Sequence, residues 1–477
     1  MKLAEYCSYD AVGLAGLLKH REVTAKDLAE IALSAVEAVN PELNAVVESY
    51  PERLESVDDA SSGPFRGVPF FLKDLGPTEA GKKCEWGSRI SEGATATADT
   101  CLTKKIRQAG LRILGRTSCP EFGFAVSTES VLNGITRNPW DLERTPGGSS
   151  GGSAAIVAAG AVPMAHANDG AGSTRVPASM SGLVGLKCSR GRISLGPDCG
   201  DVQFPLYSEF VLTRTVRDAA VALEALSGPM PGEMTLYDEP AVPFSRETNR
   251  PCEKLRIAFS TEPWGLGVPS ADVADEIRRV GGLLLDMGHS VEEATPGIDF
   301  YEFHEVFGTF FSMVGMAEVD SLAKSVGCTN HVSRLENVSR ALYEHGRSFG
   351  VRDYLGALAT MNGVSRRLGH FYEDYDVLLT PTVAVPTPLA DELKLNRDIS
   401  IGEYYAELFA VAPYTGLNNF TGTPAISLPL CRTADGMPLG AHFMAPMGEE
   451  ARLLRLSASL EQAAPWAERR PPVHVLA

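Results

Sequence analysis

Apolar residues recur along this chain at two spacings, and the two alternate. After Thr24, residues Leu28, Ile31, Ala32 and Ala35 fall on one face of a 3.6-residue period. Thr24 is placed to cap that helix, with Asp27 three residues on. Residues 9–40 therefore read as two helices, the second ended by Pro41 and followed by an extended segment. The charged stretch 52–62 reads as a further helix. Short apolar runs at 67–76, 111–115, 254–259, 290–294, 375–382 and 438–444 read as strands. Helical periods separate them at 100–109, 215–227, 272–287, 333–372 and 449–463. This β-α-β rhythm predicts an α/β fold on a parallel or mixed sheet.

Composition narrows the partners. The chain has 477 residues, 44% hydrophobic and 22% charged, which is ordinary for a globular protein with a large core. Against 43 Lys and Arg stand 60 Asp and Glu, a net charge of −17. An acidic surface argues against nucleic acid and anionic membranes as partners, since both need a basic face. The nine cysteines form no C-x-x-C pair and read as reduced thiols, so the cytoplasm is the expected compartment. The N-terminus has no basic-then-apolar signal pattern, and no run of eighteen apolar residues occurs. Residues 300–319 are rich in Phe and read as a core helix that could also form one wall of an apolar pocket.

Two glycine- and serine-rich knots depart from the pattern, Arg144-Thr-Pro-Gly-Gly-Ser-Ser-Gly-Gly-Ser153 and Asn168-Asp-Gly-Ala-Gly-Ser-Thr-Arg175. Glycine loses the most backbone freedom on folding, so two close knots point to N–H groups and hydroxyls held near a ligand. Gly147-Gly-Ser149-Ser-Gly151 spells G-x-S-x-G, the nucleophile elbow of α/β-hydrolases, with His442 as a conceivable base. That elbow needs an apolar strand before it, whereas 138–146 carries two prolines. No Gly-Lys-Ser/Thr phosphate loop, dinucleotide fingerprint or zinc spacing is present. Lys73 ends an apolar strand beside Asp74. The plain reading is a lysine paired with its neighbour; the chemical one is a desolvated amine able to act as a base. A serine needs such a base to attack, and the self-consistent set is Lys73, Ser149 and Ser173. Gly170 and Gly172 let backbone N–H groups converge before Ser173.

The order of four stretches resembles the amidase signature family: Gly67-Val-Pro-Phe-Phe-Leu-Lys-Asp74, Thr145–Ser153, Asp169-Gly-Ala-Gly-Ser-Thr-Arg-Val-Pro-Ala178 and Gly185-Leu-Lys-Cys-Ser-Arg-Gly-Arg-Ile-Ser194. The 24-residue spacing from Ser149 to Ser173 agrees, and the likeness extends over nearly the whole chain, least over 228–400. It implies one domain over 1–477, a central mixed sheet with helices on both faces, an N-terminal helical segment 1–62 and a substrate-shaping region 228–400. It also implies a Ser–cis-Ser–Lys triad: Ser173 as nucleophile, Ser149 after a cis bond from Gly148 as relay, and Lys73 as neutral base. The N–H groups of Gly170, Ala171, Gly172 and Ser173 would hold the oxyanion, Asp169 and Arg175 would brace the loop, and Ser150 would support Ser149. An acyl-enzyme hydrolysed by water is implied, with no cofactor and no metal. Ala171 and the Lys187-Cys-Ser turn depart from the usual family sequence without touching a triad atom. Asn168-Asp-Gly resembles the branch with hydrolases of cyclic nylon dimers and related amides or carbamates. The expected partner is thus a small amide or carbamate, with a homodimer as the expected assembly. A transamidation subunit and a non-catalytic binding relative are the alternatives. Pocket walls are expected from 121–133, 300–318 and 413–420, with Phe124, Phe310, Met313, Met316 and Asn418 as lining candidates.

Overall fold

A computed structural model of the chain describes residues 1–54, 63–201, 203–235, 237, 240–262 and 268–477. Thirteen strands are formed among them: β1 (Val46–Ser49), β2 (Pro69–Lys73), β3 (Arg112–Thr117), β4 (Glu129–Ser130), β5 (Gly134–Ile135), β6 (Met164–Asp169), β7 (Val184–Lys187), β8 (Ser208–Thr213), β9 (Arg256–Phe259), β10 (Ser290–Glu293), β11 (Val377–Pro381), β12 (Ala425–Arg432) and β13 (Pro438–Met444). Eight of them make one mixed sheet in the order β10-β9-β11-β13-β12-β7-β8-β6. The β10, β9 and β11 edge is parallel, and the remaining pairs are antiparallel. A smaller sheet, β1-β3-β2, lies beside it, and β4 pairs with β5.

Every residue of β6, β7, β8, β11 and β13 is buried. Successive side chains on a strand point to opposite faces, so complete burial means that both faces are covered. Helices Arg175–Ser181, Val216–Leu226, Ala271–Asp286 and Glu450–Ala463 pack against this sheet. The architecture is the α/β arrangement expected.

Two boundaries differ from the sequence reading. Pro41 lies inside helix Ala25–Leu43 and does not end it. The stop is Asn44, in the left-handed region at φ 48°, and the Asn40 side chain accepts the N–H groups of Ala45 and Val46 at 2.8 Å. Proline removes one N–H near the end of the helix, where the geometry of the following residues decides the termination. In the stretch read as helix 52–62, Pro51–Leu54 is a 3₁₀ turn, and 55–62 lies outside the described residues. One stretch, Phe303–Ser325, is long and apolar enough to cross a membrane by length and composition, but 61% of its most apolar window is buried in the fold, as in a core helix.

Candidate active site

Strand β2 is an apolar run that ends on a charge, and the register shows why. It pairs in parallel with β3 and packs against β6, which puts Lys73 at the C-terminal end of β6. Lys73 is 1% exposed. Its Nζ donates to Ser149 Oγ at 2.7 Å, Ser150 Oγ at 3.1 Å and Asn168 Oδ1 at 2.5 Å. No carboxylate is among these partners. Burial pulls the amine down to about 8, while the more distant Cys119, Glu209 and Asp169 work in the opposite direction. The plain reading of a pair with Asp74 does not hold. Asp74, the next residue and so turned the other way, pairs with Arg116 and accepts the N–H of Glu85 at 3.0 Å.

The first knot wraps Ser149 against this amine. The Gly148–Ser149 peptide bond is cis. A Cβ on Gly148 would lie 2.2 Å from the carbonyl oxygen of Ser127, so only glycine allows this approach. Thr128 Oγ1 pins the loop on both sides, donating to Gly147 O at 2.9 Å and accepting from Gly151 N–H at 3.0 Å. Ser150 Oγ donates to Asn168 O at 3.3 Å, linking the two knots.

The second knot begins at the end of β6, where adjacent side chains diverge. Asn168 faces Lys73, and its Nδ2 donates to Leu75 O at 3.1 Å. Asp169 faces the opposite way and takes a two-pronged contact from Arg175: Nη2 to Oδ1 at 2.9 Å and Nε to Oδ2 at 2.9 Å. Burial works to raise the Asp169 carboxyl, but the Arg175 guanidinium outweighs it and holds the group well below the usual carboxylate range. Arg175, wholly buried, also donates to Asn418 Oδ1 at 3.1 Å, Asn419 Oδ1 at 2.7 Å and His442 Nε2 at 3.0 Å.

The carboxylate shapes the turn as well. It accepts the N–H of Gly172 at 2.7 Å and of Thr174 at 3.2 Å. This corrects one expectation, because the Gly172 N–H is spent inside the loop. The N–H groups of Gly170, Ala171 and Ser173 have no acceptor among the described residues. Gly172 has φ 136°, and a Cβ there would meet Thr415 Oγ1 at 2.4 Å. Thr415 Oγ1 donates to Ala171 O at 2.6 Å.

Ser149 and Ser173 line one cavity of about 450 Å³. Leu75, Phe122, Phe124, Ala125, Phe311 and Leu408 supply much of its apolar wall. Ser173 Oγ makes no hydrogen bond to a described residue. Of the lining candidates, Phe124 is in the wall. Phe310 is not: it stacks on Tyr354 at 5.4 Å, and its neighbour Phe311 lines the cavity. Asn418 is a buried partner of Arg175, and Met313 and Met316 lie outside the lining. His442, the base that a G-x-S-x-G hydrolase would need, is buried between Arg175 and Thr380 and touches neither serine. Burial, then the Arg175 charge, holds it well below the ordinary histidine range. Sequence reasoning missed Asn168 as a lysine partner, along with Thr415 and Asn419. The Asn-Asp-Gly spelling was the one signal for the first; the other two lie more than 240 residues from the loop they hold.

Such a site can deprotonate a hydroxyl and stabilise an oxyanion on backbone N–H groups. The profile of the family described as Amidase matches residues 27–454. AmiC of Mycobacterium tuberculosis, which carries an amidase designation, is 38% identical over 469 residues, covering 97% of this chain and 96% of that protein. The 6-aminohexanoate-cyclic-dimer hydrolase of Paenarthrobacter ureafaciens is 34% identical over 474 residues, with 97% and 96% covered. A solved structure of 6-aminohexanoate cyclic dimer hydrolase superposes with a TM-score of 0.92 at 33% identity, covering 99% of each chain.

Proposed function

The chain belongs to the Amidase family and is an amide-hydrolysing enzyme, and from that premise we propose that it cleaves small non-peptide amides through Ser173, Ser149 and Lys73. With Lys73 neutral, its two N–H groups serve Asn168 and Ser150 and its lone pair faces the Ser149 hydroxyl. Lys73 takes the proton of Ser149, Ser149 takes that of Ser173, and Ser173 Oγ adds to the amide carbonyl. The N–H groups of Gly170, Ala171 and Ser173 receive the oxyanion. The proton then returns from Lys73 through Ser149 to the nitrogen, the amine leaves, and an ester remains on Ser173. Water repeats the cycle on that ester and releases the acid.

The observation that carries the reading is the hydrogen bond of 2.7 Å from Lys73 Nζ to Ser149 Oγ, made by a buried amine with no carboxylate among its partners. Ser173 is not yet bonded to Ser149, and links of this kind tighten when substrate fills the site. The apolar cavity and the likeness to a cyclic-dimer hydrolase support linear or cyclic alkyl amides, with carbamates as the extension of the same chemistry. Acidic surface and free cysteines support a cytoplasmic setting.

Turnover of a p-nitroanilide, with the liberated nitroaniline read by absorbance, tests the nucleophile. Ser173→Ala should remove it entirely, and a variant that keeps full activity refutes the assignment. A screen of aliphatic amide, anilide, lactam dimer, carbamate and ester then ranks the substrates.

A further inference from the structure

A second cavity, of about 630 Å³, adjoins the first and shares Leu75, Asn168 and Tyr207 with it. Its walls include the aromatic residues Trp86, Phe204 and Tyr207. Among the described residues, Glu209 and Glu318 are the charged ones on its lining, and no Lys or Arg lines it. Glu209 is already committed: Oε2 contacts His166 Nε2 at 2.7 Å, and Oε1 accepts from Asn168 Nδ2 at 3.4 Å. Glu318, reaching in from helix Phe300–Ser325, accepts one bond, from Tyr207 OH to its Oε2 at 2.8 Å. Its Oε1 has no partner among the described residues, and the side chain is half-buried.

Two fully buried structural acids of the chain are satisfied differently from this half-buried one. Asp169 has Arg175, and Glu121 accepts the Glu336 N–H at 2.8 Å and the Ser88 hydroxyl at 2.8 Å. Glu318 has neither a cation nor a backbone N–H. We infer that this chamber binds a primary ammonium on one arm of the substrate, with Glu318 as its counter-ion and the aromatic walls as its flank; the inference rests on the hydrolase reading of the adjoining site. A cation beside a desolvated carboxyl favours its ionised form, and aromatic faces attract an ammonium where a neutral donor gains much less. Burial, against the weaker effect of the Tyr207 hydrogen bond, pushes Glu318 up to about 8, in keeping with a carboxyl that lacks its counter-charge. The shared walls make the chamber and the cavity of Ser173 neighbours, so one substrate can occupy both.

The test does not depend on which side of the scissile bond the arm lies. Hydrolysis of a neutral alkanoyl p-nitroanilide is measured at neutral pH with n-hexylamine or n-hexanol as competitor. The amine should inhibit competitively, with an inhibition constant at least tenfold below that of the alcohol, and Glu318→Gln should erase that difference. Equal inhibition by the two compounds in the wild-type enzyme overturns the proposal without any variant, as does an amine preference that survives Glu318→Gln. Calorimetric titration of n-hexylamine into the Ser173→Ala protein reads the chamber without turnover. An enzyme that binds the amine yet hydrolyses no anilide separates failure of the hydrolase reading from failure of this one.

Discussion

Replacing Lys73 with Met connects the chemistry to the stability of the fold through one proton. In the unfolded chain a lysine titrates near 10.5, and in the native site burial brings Lys73 to about 8. Between these values the unfolded state holds the proton and the native state does not. Stability must therefore rise with pH across that window in the wild type. Integrating the two titrations from pH 7 to pH 10 gives a gain of about 2–3 kcal/mol. Lys73→Met lacks this term, while every other titrating group is common to both proteins. The difference in unfolding free energy, wild type minus Lys73→Met, should thus climb by about 2–3 kcal/mol between pH 7 and pH 10, whatever its starting value. Urea unfolding followed by circular dichroism measures it. The same proton should set the acid limb of kcat/KM: about one-tenth of the lysine is neutral at pH 7 and about nine-tenths at pH 9, so the rate rises and levels off near pH 9. A difference in stability that stays flat with pH, or a rate limb that continues to climb through pH 10, would refute the assignment of a depressed amine.

Two further variants probe the second loop. Arg175→Met leaves the Asp169 carboxylate buried without its cation, and removal of one partner of such a pair costs about 3–5 kcal/mol, read as a lower urea midpoint; a loss below about 1 kcal/mol contradicts the bracing role. Gly172→Ala forces a side chain into a positive φ and against Thr415, with a backbone cost of about 1–3 kcal/mol. It should lower kcat on a p-nitroanilide at least tenfold while the far-ultraviolet circular dichroism is unchanged, and unaltered kcat would mean that the loop tolerates reshaping.

The parts of this site that were legible in the sequence are those in which local chemistry is unusual. A lysine closing an apolar strand, and glycines crowded around serines, are visible without any fold. Asn168 was visible as a spelling and not as a contact, because its meeting with Lys73 depends on how β2 lies against β6. The pocket failed for a different reason. Phe310 and Phe311 are both aromatic, and one step around a helix turns a side chain by about 100°, so composition does not tell which of them faces the cavity. Asn418 was misjudged because a buried amide serves an internal guanidinium as well as it would serve a substrate. Pro41 shows that a local breaker near a helix end yields to the residues after it, here Asn44. Glu318 drew no attention in a stretch dominated by Phe, since its isolation is a property of the chamber and not of the helix.

The divergence of side chains at the end of β6 has a bearing on engineering. Asn168 contacts the lysine, and Asp169 holds the 170–174 turn from the opposite face. On the proposed mechanism, the working pH and the shape of the loop are set at adjacent but separately addressable positions. A library at Asn168 with partners chosen to suit Lys73 can retune the enzyme for acidic or alkaline processing while the Asp169–Arg175 clasp remains intact. An insertion or deletion of one residue within the strand would exchange the two roles and lose both.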